Sequence, residues 1–318
     1  MTNFEKLVKK KVAELKRHTF FDPTYDANFK RIFSKDSTLI HFLNAILHLE
    51  GKRKIKSVKR KKPSVTLSSK IGNEEVRFDV HAQLENGNFI DLEMQRAEHE
   101  DFIDRMELYA SQLAINSKID FDQNRPTEDV EDHPYQMPQT YSVWICKFEV
   151  DFCKSYREEI GLFRFSDVGS REALPIYDKK KYIIVDLKKY KPTGREPPEA
   201  LWLEVFTKMA SASKAPKTRD KEIANVYRTM LVKGTPEDLI TEIAKGMVTQ
   251  AEISTRIGTA RREGRLEERK LQEEQHQMER VNLIKKNLQK GKTPEDVADF
   301  LDIPLSQVLK IQQELESR

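Results

Sequence analysis

The chain has 318 residues, of which 38% are hydrophobic and 34% are charged, and its formal net charge is only +4. This length allows one good core and a second, smaller unit, while the low apolar content predicts an exposed charged extension. No apolar run of about 18 residues occurs and the N-terminal segment contains acids, so we expect a soluble, cytoplasmic protein with neither a membrane span nor a signal peptide. Cys146 and Cys153 have no metal-ligand spacing with histidines and are expected to be free thiols.

The N-terminal part of the chain is predicted to be helical. Residues 4–17 have an amphipathic helical pattern, and the segment 22–49 reads as two helices divided near Ser37. Asp26 and Lys30 lie four residues apart and therefore share a helical face, where a surface ion pair is the simplest interpretation.

A dense basic run follows these helices. Eight of the eleven residues in this run are basic: Lys52, Arg53, Lys54, Lys56, Lys59, Arg60, Lys61 and Lys62. Such a run can bind the phosphate backbone of nucleic acid, or it can be a solvated loop or a strand edge that lysines protect from aggregation. Ile55 and Val58 interrupt the charges and indicate an ordered segment, which favours the first interpretation.

Residues 76–95 have the pattern of a β-hairpin. Apolar side chains alternate in both arms, at Val76, Phe78, Val80, Ala82 and Leu84 and at Ile90, Leu92 and Met94. A two-residue Asn86-Gly87 turn would place these rows on opposite faces. A three-residue loop from Glu85 to Gly87, with Gly87 left-handed, places both rows on one face, so this register is predicted.

The predicted register brings acids together. It sets Asp79 directly across from Glu93, with Asp91 and Gln95 one step along on the same face. Opposed carboxylates repel each other, and a divalent cation such as Mg²⁺ or Mn²⁺ would relieve that repulsion. The alternative is a solvent-facing polar row. In that case the acids would be neutralised by nearby bases, namely Lys70, Arg77 or Arg96.

Helices and strands alternate from there to about residue 210. A helix is predicted at 99–118, on which Arg105 and Tyr109 share a face, and a loop or insertion at 120–139. Strands are predicted within 140–152, 161–168 and 181–190, and a closing helix within 201–210, where Trp202 and Phe206 are expected in the core. This order predicts an α/β fold with a mixed sheet flanked by helices.

Beyond about residue 214 the composition shifts to charged helices. We predict a first domain at 1–213, a charged helical region at 214–290 that could form a coiled coil or pair with a second copy, and a small helix-turn-helix-like segment at 291–318. The last helix holds only Lys310 as a base, so an oligomerisation or packing role is at least as good an interpretation as DNA reading.

Several of these segments, in this order, resemble a known family. They are FFDPTYDANFKRIFSKDSTLIHFLNAIL at 20–47, Asp79 followed by Glu93-Met94-Gln95, RMELYASQLAI at 105–115, TYSVWICKFEV at 140–150 and YIIVDLKKY at 182–190. Together they are similar to the PD-(D/E)XK nuclease family transposases, also called recombination-promoting nucleases. The likeness covers most of residues 19–210 and implies a restriction-endonuclease-like fold with an α-helical C-terminal extension.

The resemblance implies a role for each matching residue. Asp79 and Glu93 would be metal ligands, Asp26 would be a third acid near the metal, and Gln95 would stand where the superfamily has a lysine. A glutamine amide can orient water but brings no positive charge, which Lys30 or a second metal could supply. Arg105 would contact phosphate or brace the site, and packing or a helix-surface ion pair is the alternative interpretation.

Two functions follow from these features. The first is a Mg²⁺-dependent DNA endonuclease, linked to recombination or mobile elements, that hydrolyses backbone phosphodiesters. The second is a catalytically weak or inactive protein that binds DNA through a nuclease-like core and assembles as a homodimer through its C-terminal helices. A scaffold without nucleic acid would leave the opposed acids and the basic run unexplained.

Overall fold

The computed structural model describes residues 2–62, 64–69, 72–98, 100–165, 173–192, 197–249, 278–301 and 303–316. The chain divides into two compact units, residues 1–250 and residues 251–318, which are described separately. No helix within these described ranges is long and apolar enough to cross a membrane.

The first unit consists of helices and strands in alternation. Its helices are α1 (Asn3–Leu15), α2 (Asp26–Ile32), α3 (Asp36–Ile46), α4 (Phe102–Gln123), α5 (Thr127–Asp132), α6 (Ala200–Lys208), α7 (Lys221–Thr229) and α8 (237–249). Its strands are β1 (Val58–Arg60), β2 (Ser64–Ser69), β3 (Gly72–Arg77), β4 (Val80–Leu84), β5 (Phe89–Gln95), β6 (Thr140–Cys146), β7 (Arg157–Phe165) and β8 (Ala173–Asp186).

Six strands form one mixed sheet in the order β1-β4-β5-β6-β8-β7, and β2 and β3 form a separate two-stranded ribbon. The central pairs β5/β6 and β6/β8 are parallel, while β1/β4, β4/β5 and β7/β8 are antiparallel. The predicted fold class, a mixed sheet flanked by helices, is therefore confirmed.

Both faces of the central sheet are covered by apolar clusters. On one face, Val143 and Ile145 of β6 pack with side chains of α2, α3, α6, α7 and α8, and Trp202 and Phe206 lie in this core as predicted. On the other face, Trp144 packs with Phe78, Phe89 and three side chains of α4, Phe102, Met106 and Tyr109. Cys146 and Cys153 are buried free thiols, as expected. The candidate site described below lies on the face of the sheet that α4 covers.

The β4–β5 hairpin has the predicted register. Val80 pairs with Leu92 and His81 with Asp91, and a three-residue loop connects the strands. Gly87 in this loop has φ +83°, the left-handed conformation that the register requires, and its N–H donates to the Leu84 carbonyl at 3.0 Å.

The first arm of the predicted hairpin is interrupted. The expectation of one arm from Val76 to Leu84 is wrong, because β3 ends at Arg77 and pairs with β2, and β4 begins only at Val80. Because of this break, even-numbered residues before and after it face opposite sides of the sheet. Phe78 therefore joins the cluster under α4, whereas the even-numbered residues of β4 join the opposite cluster.

The loop expected at 120–139 is partly helical. Helix α4 continues to Gln123 and α5 occupies Thr127–Asp132. Ion pairs between residues four apart support these helices. Arg125 Nε lies 2.7 Å from Asp129 Oδ2, and Lys118 pairs with Asp122. Local charge pairs of this kind support helix where Asp and Pro composition alone suggests loop.

The packing of α7 and α8 bears on the domain boundary that we predict at 213. Ile223, Val226, Ile240, Ile243 and Met247 on these helices belong to the same core cluster as the sheet, and the compact unit extends to residue 250. Of the charged helical region predicted at 214–290, residues 250–277 lie outside the described residues.

The second unit contains three described helices, α9 (278–289), α10 (Pro294–Leu301) and α11 (Leu305–Glu316). They share a small core of Ile284, Val297, Ala298, Val308 and Ile311. Gly291, at φ +81°, makes the turn between the first two helices.

Two glycines provide a test of the hairpin loop. A Cβ built at Gly87 or at Gly246 meets nothing within 4 Å, but only Gly87 has a positive φ. Gly87→Ala is expected to lower the free energy of unfolding by about 1 kcal/mol, because alanine disfavours the left-handed region. Gly246→Ala in helix α8 is the control and should raise it by about 0.5–1 kcal/mol. Urea unfolding measures both, and equal effects would contradict the assigned loop.

Candidate active site

Asp79 and Glu93 face each other where β3 gives way to β4. The Asp79 N–H donates to Glu93 Oε1 at 2.9 Å, and the Met94 N–H donates to Asp79 Oδ2 at 2.9 Å. Each carboxylate is thus held by the main chain of the opposite strand. Asp79 immediately precedes β4, and its contacts with Glu93 and Met94 confirm the predicted opposition of the two acids.

The polar face of the hairpin is buried under α4. Asp91 is 0%, Glu93 1% and His81 7% exposed. The alternative of a solvent-facing polar row is therefore wrong. Of the bases proposed to neutralise that row, Arg96 pairs with Asp22 instead, and Lys70 lies outside the described residues.

Burial raises the pKa values of these acids. It raises the pKa of Asp79 to about 6, and the nearby Asp26 carboxylate adds to the rise, while the Met94 N–H and Lys30 oppose it. Burial also raises the pKa values of Asp91 and Glu93 well above the usual range, and at Glu93 the charges of Asp91 and Asp79 raise it further. The positive charge of Lys30 and Arg105 therefore offsets the burial of these acids only in part.

Helix α4 brings Arg105 and Tyr109 to the same cluster. Arg105 Nη2 donates to the Tyr109 hydroxyl at 3.2 Å, and the positive charge of Arg105 lowers the pKa values of Asp91 and Glu93. Arg105 Nε is buried and has no hydrogen-bond partner among the described residues. Of the two roles implied for Arg105, bracing the acids fits this position better than contact with phosphate.

Asp26 and Lys30 on α2 lie at the entrance to the cluster. Lys30 Nζ is 2.6 Å from Asp26 Oδ1 and 3.5 Å from Asp79 Oδ1. The surface ion pair and the approach of Asp26 to the site are therefore both present, linked by one lysine. Because the Lys30 side chain is still 37% exposed, it can also meet a ligand.

Gln95 stands at the carboxyl end of β5, two residues beyond Glu93 on the same strand face. Its carbonyl accepts the Lys147 N–H at 2.8 Å. Its side-chain amide makes no hydrogen bond to any residue that the structure describes, and it is partly exposed. The amide is therefore free to bind water or a phosphate oxygen.

His81 has a structural role in this geometry. Its Nδ1 lies 3.0 Å from the Lys62 carbonyl oxygen and so carries a proton, and burial lowers the pKa of the ring. His81 is therefore a buried histidine in register with Asp91 that supports the end of the basic run.

A second ionic network adjoins the site, and sequence reasoning missed it. Asp22 Oδ2 pairs with Lys147 Nζ at 2.9 Å and with Arg96 Nη1 at 3.1 Å, and Thr24 completes the network. Burial alone would raise the pKa of Asp22. Hydrogen bonds from Thr24 and Lys147 nevertheless hold this pKa below its usual value. Arg96 and Lys147 directly follow the parallel strands β5 and β6. This shared position could have predicted from the sequence that the two bases lie close together.

Comparison with known families decides the assignment. The family model described as "PD-(D/E)XK nuclease family transposase" matches residues 23–239, more than half of the chain, and the matched range contains both α2 and the β4–β5 hairpin. The chain belongs to the PD-(D/E)XK nuclease family transposases. No curated protein and no solved structure matches it.

In this PD-(D/E)XK protein, the basic run is an edge strand and its flanks. Strand β1 pairs with β4 and has no partner on its outer side within the described sheet. Arg60 pairs with Asp36 at 2.9 Å and Lys61 with Asp120 at 2.6 Å, so these two charges are used internally. The other bases are exposed and form no ion pair with a described residue: Lys52, Arg53, Lys54, Lys56, Lys59 and Lys62. Asn44 fixes the run by two hydrogen bonds to the main chain of Ile55.

The acids of this PD-(D/E)XK site fit a magnesium-type cation. Within the described ranges, no group of three or more His, Cys, Asp or Glu side chains is arranged to hold a metal ion. Asp79 and Glu93 offer two hard carboxylates, and Mg²⁺ commonly takes one or two carboxylates together with water and phosphate oxygens. Their raised pKa values show an unmet need for positive charge. PD-(D/E)XK nucleases generally use divalent metals, which agrees with this donor set.

Proposed function

We propose that the protein is a divalent-metal-dependent DNA endonuclease that hydrolyses backbone phosphodiesters during recombination or the movement of mobile elements. The observation that carries this proposal is the close opposition of Asp79, whose side chain is 14% exposed, and the buried Glu93 on adjacent chain segments. Burying opposed acids destabilises a protein unless a cation offsets their charge. Such an arrangement is characteristic of functional sites.

Each residue of the site has a defined task in this proposal. Asp79 and Glu93 hold Mg²⁺ or Mn²⁺, which would supply Lewis acidity and lower the pKa of a bound water. The Gln95 amide orients the attacking water. Lys30, 3.5 Å from Asp79, contributes positive charge towards the phosphate. Arg105 steadies the buried acids from α4.

The exposed bases around β1 provide the surface for DNA. Lysines and arginines without internal partners can replace the counterions of the phosphate backbone, and this strengthens binding most at low salt. The basic run ends beside the site, because β1 pairs with β4, the strand that follows Asp79.

One observation favours a second function, that of a DNA-binding or assembly protein without catalytic activity. Gln95 has no charge, and the nearby bases Arg96 and Lys147 are both paired with Asp22. Of Lys30, Arg96 and Lys147, only Lys30 forms an ion pair with Asp79. Homodimerisation through the C-terminal helices, which have a core of their own, belongs to this function as well as to the first. Both functions need DNA and agree with the cytoplasmic location expected above.

The triple variant Lys52→Gln/Lys54→Gln/Lys56→Gln tests the DNA surface. It should weaken binding to duplex DNA of any sequence and reduce the slope of log K against log salt by about three, since each phosphate contact contributes about 0.9. Fluorescence anisotropy across a salt series measures this slope.

The matched control is Lys6→Gln/Lys9→Gln/Lys10→Gln on α1, which removes the same charge from exposed positions. A salt slope that falls equally in both variants would show a general charge effect. A slope that is unchanged in the β1 variant would remove the basic run from the DNA surface.

Cleavage of supercoiled plasmid tests the catalytic function. Purified protein should nick the plasmid with Mg²⁺ or Mn²⁺ and not with EDTA. Protein that binds the plasmid but leaves it intact with every divalent ion would support the second function instead.

A further inference from the structure

We propose that a second site, apart from the acidic cluster, binds a nucleotide through its phosphate and its base. The site is a cavity of about 700 Å³ between the segment 214–219, helix α7 and the chain around Phe20. Cavities of roughly 300–1,000 Å³ are the usual size for small-ligand sites. None of Asp26, Asp79 and Glu93 lines it.

One wall of the cavity is fixed by main-chain hydrogen bonds. The Phe21 N–H donates to the Met230 carbonyl at 2.9 Å, and the Val232 N–H donates to the Thr19 carbonyl at 3.0 Å. Phe20 and Leu231 form a β-bridge between these bonds. The wall that carries Thr19, Phe20 and Leu231 is therefore preorganised, which lowers the ordering cost of binding.

The lining of the cavity is strongly basic. Lys214, Lys217, Arg219 and Arg228 line it, and the lining contains no acid. All four side chains are exposed, and none forms an ion pair with a residue in the described part of the chain. Four unpaired cations around one cavity predict an anionic ligand with several acceptor oxygens, as a phosphate has.

The nearest acid in sequence is withdrawn from the cavity. Asp220 caps helix α7, where its Oδ1 accepts the Ile223 N–H at 2.9 Å, and its Oδ2 lies 3.0 Å from His41 Nε2. Because both oxygens are engaged away from the lining, Asp220 does not neutralise the neighbouring Arg219. The positive charge of the cavity is therefore available to a ligand.

The floor of the cavity is apolar and aromatic. Phe20 and Tyr227 pack edge to face with ring centroids 5.2 Å apart, and Ala224 and Leu231 extend this surface. Phe20 and Tyr227 are only 3% and 4% exposed, so a nucleobase would lie against the apolar surface that they support, and cations would hold the adjoining phosphate. An apolar floor below a basic rim thus matches a nucleotide better than it matches inorganic phosphate.

Calorimetry in EDTA tests this site without any cleavage, so its result does not depend on the proposed nuclease activity. The probes are dTMP, thymidine, inorganic phosphate, and a short oligothymidylate with and without a 5′-phosphate. Wild type should bind dTMP more tightly than thymidine or phosphate alone. Preference for the phosphorylated oligonucleotide would identify a DNA strand end as the source, and stronger binding of dTMP would identify a free nucleotide.

The variant Lys217→Gln/Arg228→Gln should weaken dTMP binding at least about tenfold, because charged hydrogen bonds to phosphate are lost. The control Lys233→Gln/Lys245→Gln removes the same charge from exposed residues outside the lining and should bind as wild type does. The proposal is overturned if wild type binds none of the nucleotides, or if both double variants bind them equally well.

Discussion

Asp79→Asn and Glu93→Gln are each expected to lower the rate of metal-dependent plasmid nicking by about 10³-fold or more. Each substitution keeps the shape of the side chain and removes one ligand charge, and a bound metal contributes several kcal/mol to transition-state stabilisation. The affinity for DNA should change little, because neither residue belongs to the exposed basic run. Initial rates of nicking and anisotropy on the same preparations separate the two effects.

Exposed acids of α5 provide the control for this experiment. Glu128→Gln and Asp132→Asn remove one negative charge each at exposed positions and should nick as wild type does. Full activity in Asp79→Asn would contradict the assignment of the site. A loss of DNA binding together with activity would indicate that the acids support the fold rather than the chemistry.

The second large effect concerns stability, pH and metal. The folded-state pKa of Asp79 is raised from 3.8 to about 6, and those of Asp91 and Glu93 are raised well above their usual range. A raised carboxyl pKa means that the folded state binds more protons than the unfolded state. The stabilisation is therefore complete below about pH 4 and is lost as the pH rises through the folded-state pKa. Asp79 alone accounts for about 3 kcal/mol by pH 8.

Thermal unfolding from pH 5 to pH 8 measures this effect. In EDTA the stability contributed by the acidic cluster should fall over this range. Millimolar Mg²⁺ or Mn²⁺ should restore it, and most strongly at pH 8, because the cation binds only the ionised acids. Asp79→Asn should show a flatter pH dependence and a smaller response to metal. If Mg²⁺ shifts Tm equally at both pH values, or equally in the variant, the acids do not hold the cation.

The register of the hairpin could be predicted from the sequence because few loop lengths place both apolar rows on the same face. Apolar alternation in both arms admits only a loop length that keeps the two rows on one face, and Gly87 permits the necessary left-handed residue. The opposition of Asp79 and Glu93 follows from that register. The positions of Trp202 and Phe206 in the core follow equally from their size and helical spacing.

What covers the polar row could not be predicted from the same pattern. A period of two identifies the residues that share a face, but it contains no information about the element packed against that face. Helix α4 buries Asp91 and Glu93 and brings Arg105 to them, a contact between elements that the alternation does not encode. The break at Phe78 was hidden for a related reason, since β3 leaves the hairpin to pair with β2.

The ionic contacts were the least predictable part of the site. The sequence places Arg60, Lys61, Arg96 and Lys147 among many bases, and their partners are distant along the chain. Only the fold shows which bases are used internally and which remain available to DNA. Asp26 and Lys30 could be predicted as a pair because four residues span one helical turn.

Manganese binding tests the central claim, that the buried acids of the hairpin hold a divalent cation. Electron paramagnetic resonance of free Mn²⁺ counts bound ions per chain at pH 8 in wild type, Asp79→Asn, Glu93→Gln and the control Glu128→Gln. We predict at least one tight Mn²⁺ in wild type and in the control, and its loss in both hairpin variants. The same number of bound ions in all four proteins, or none in wild type, would contradict the claim.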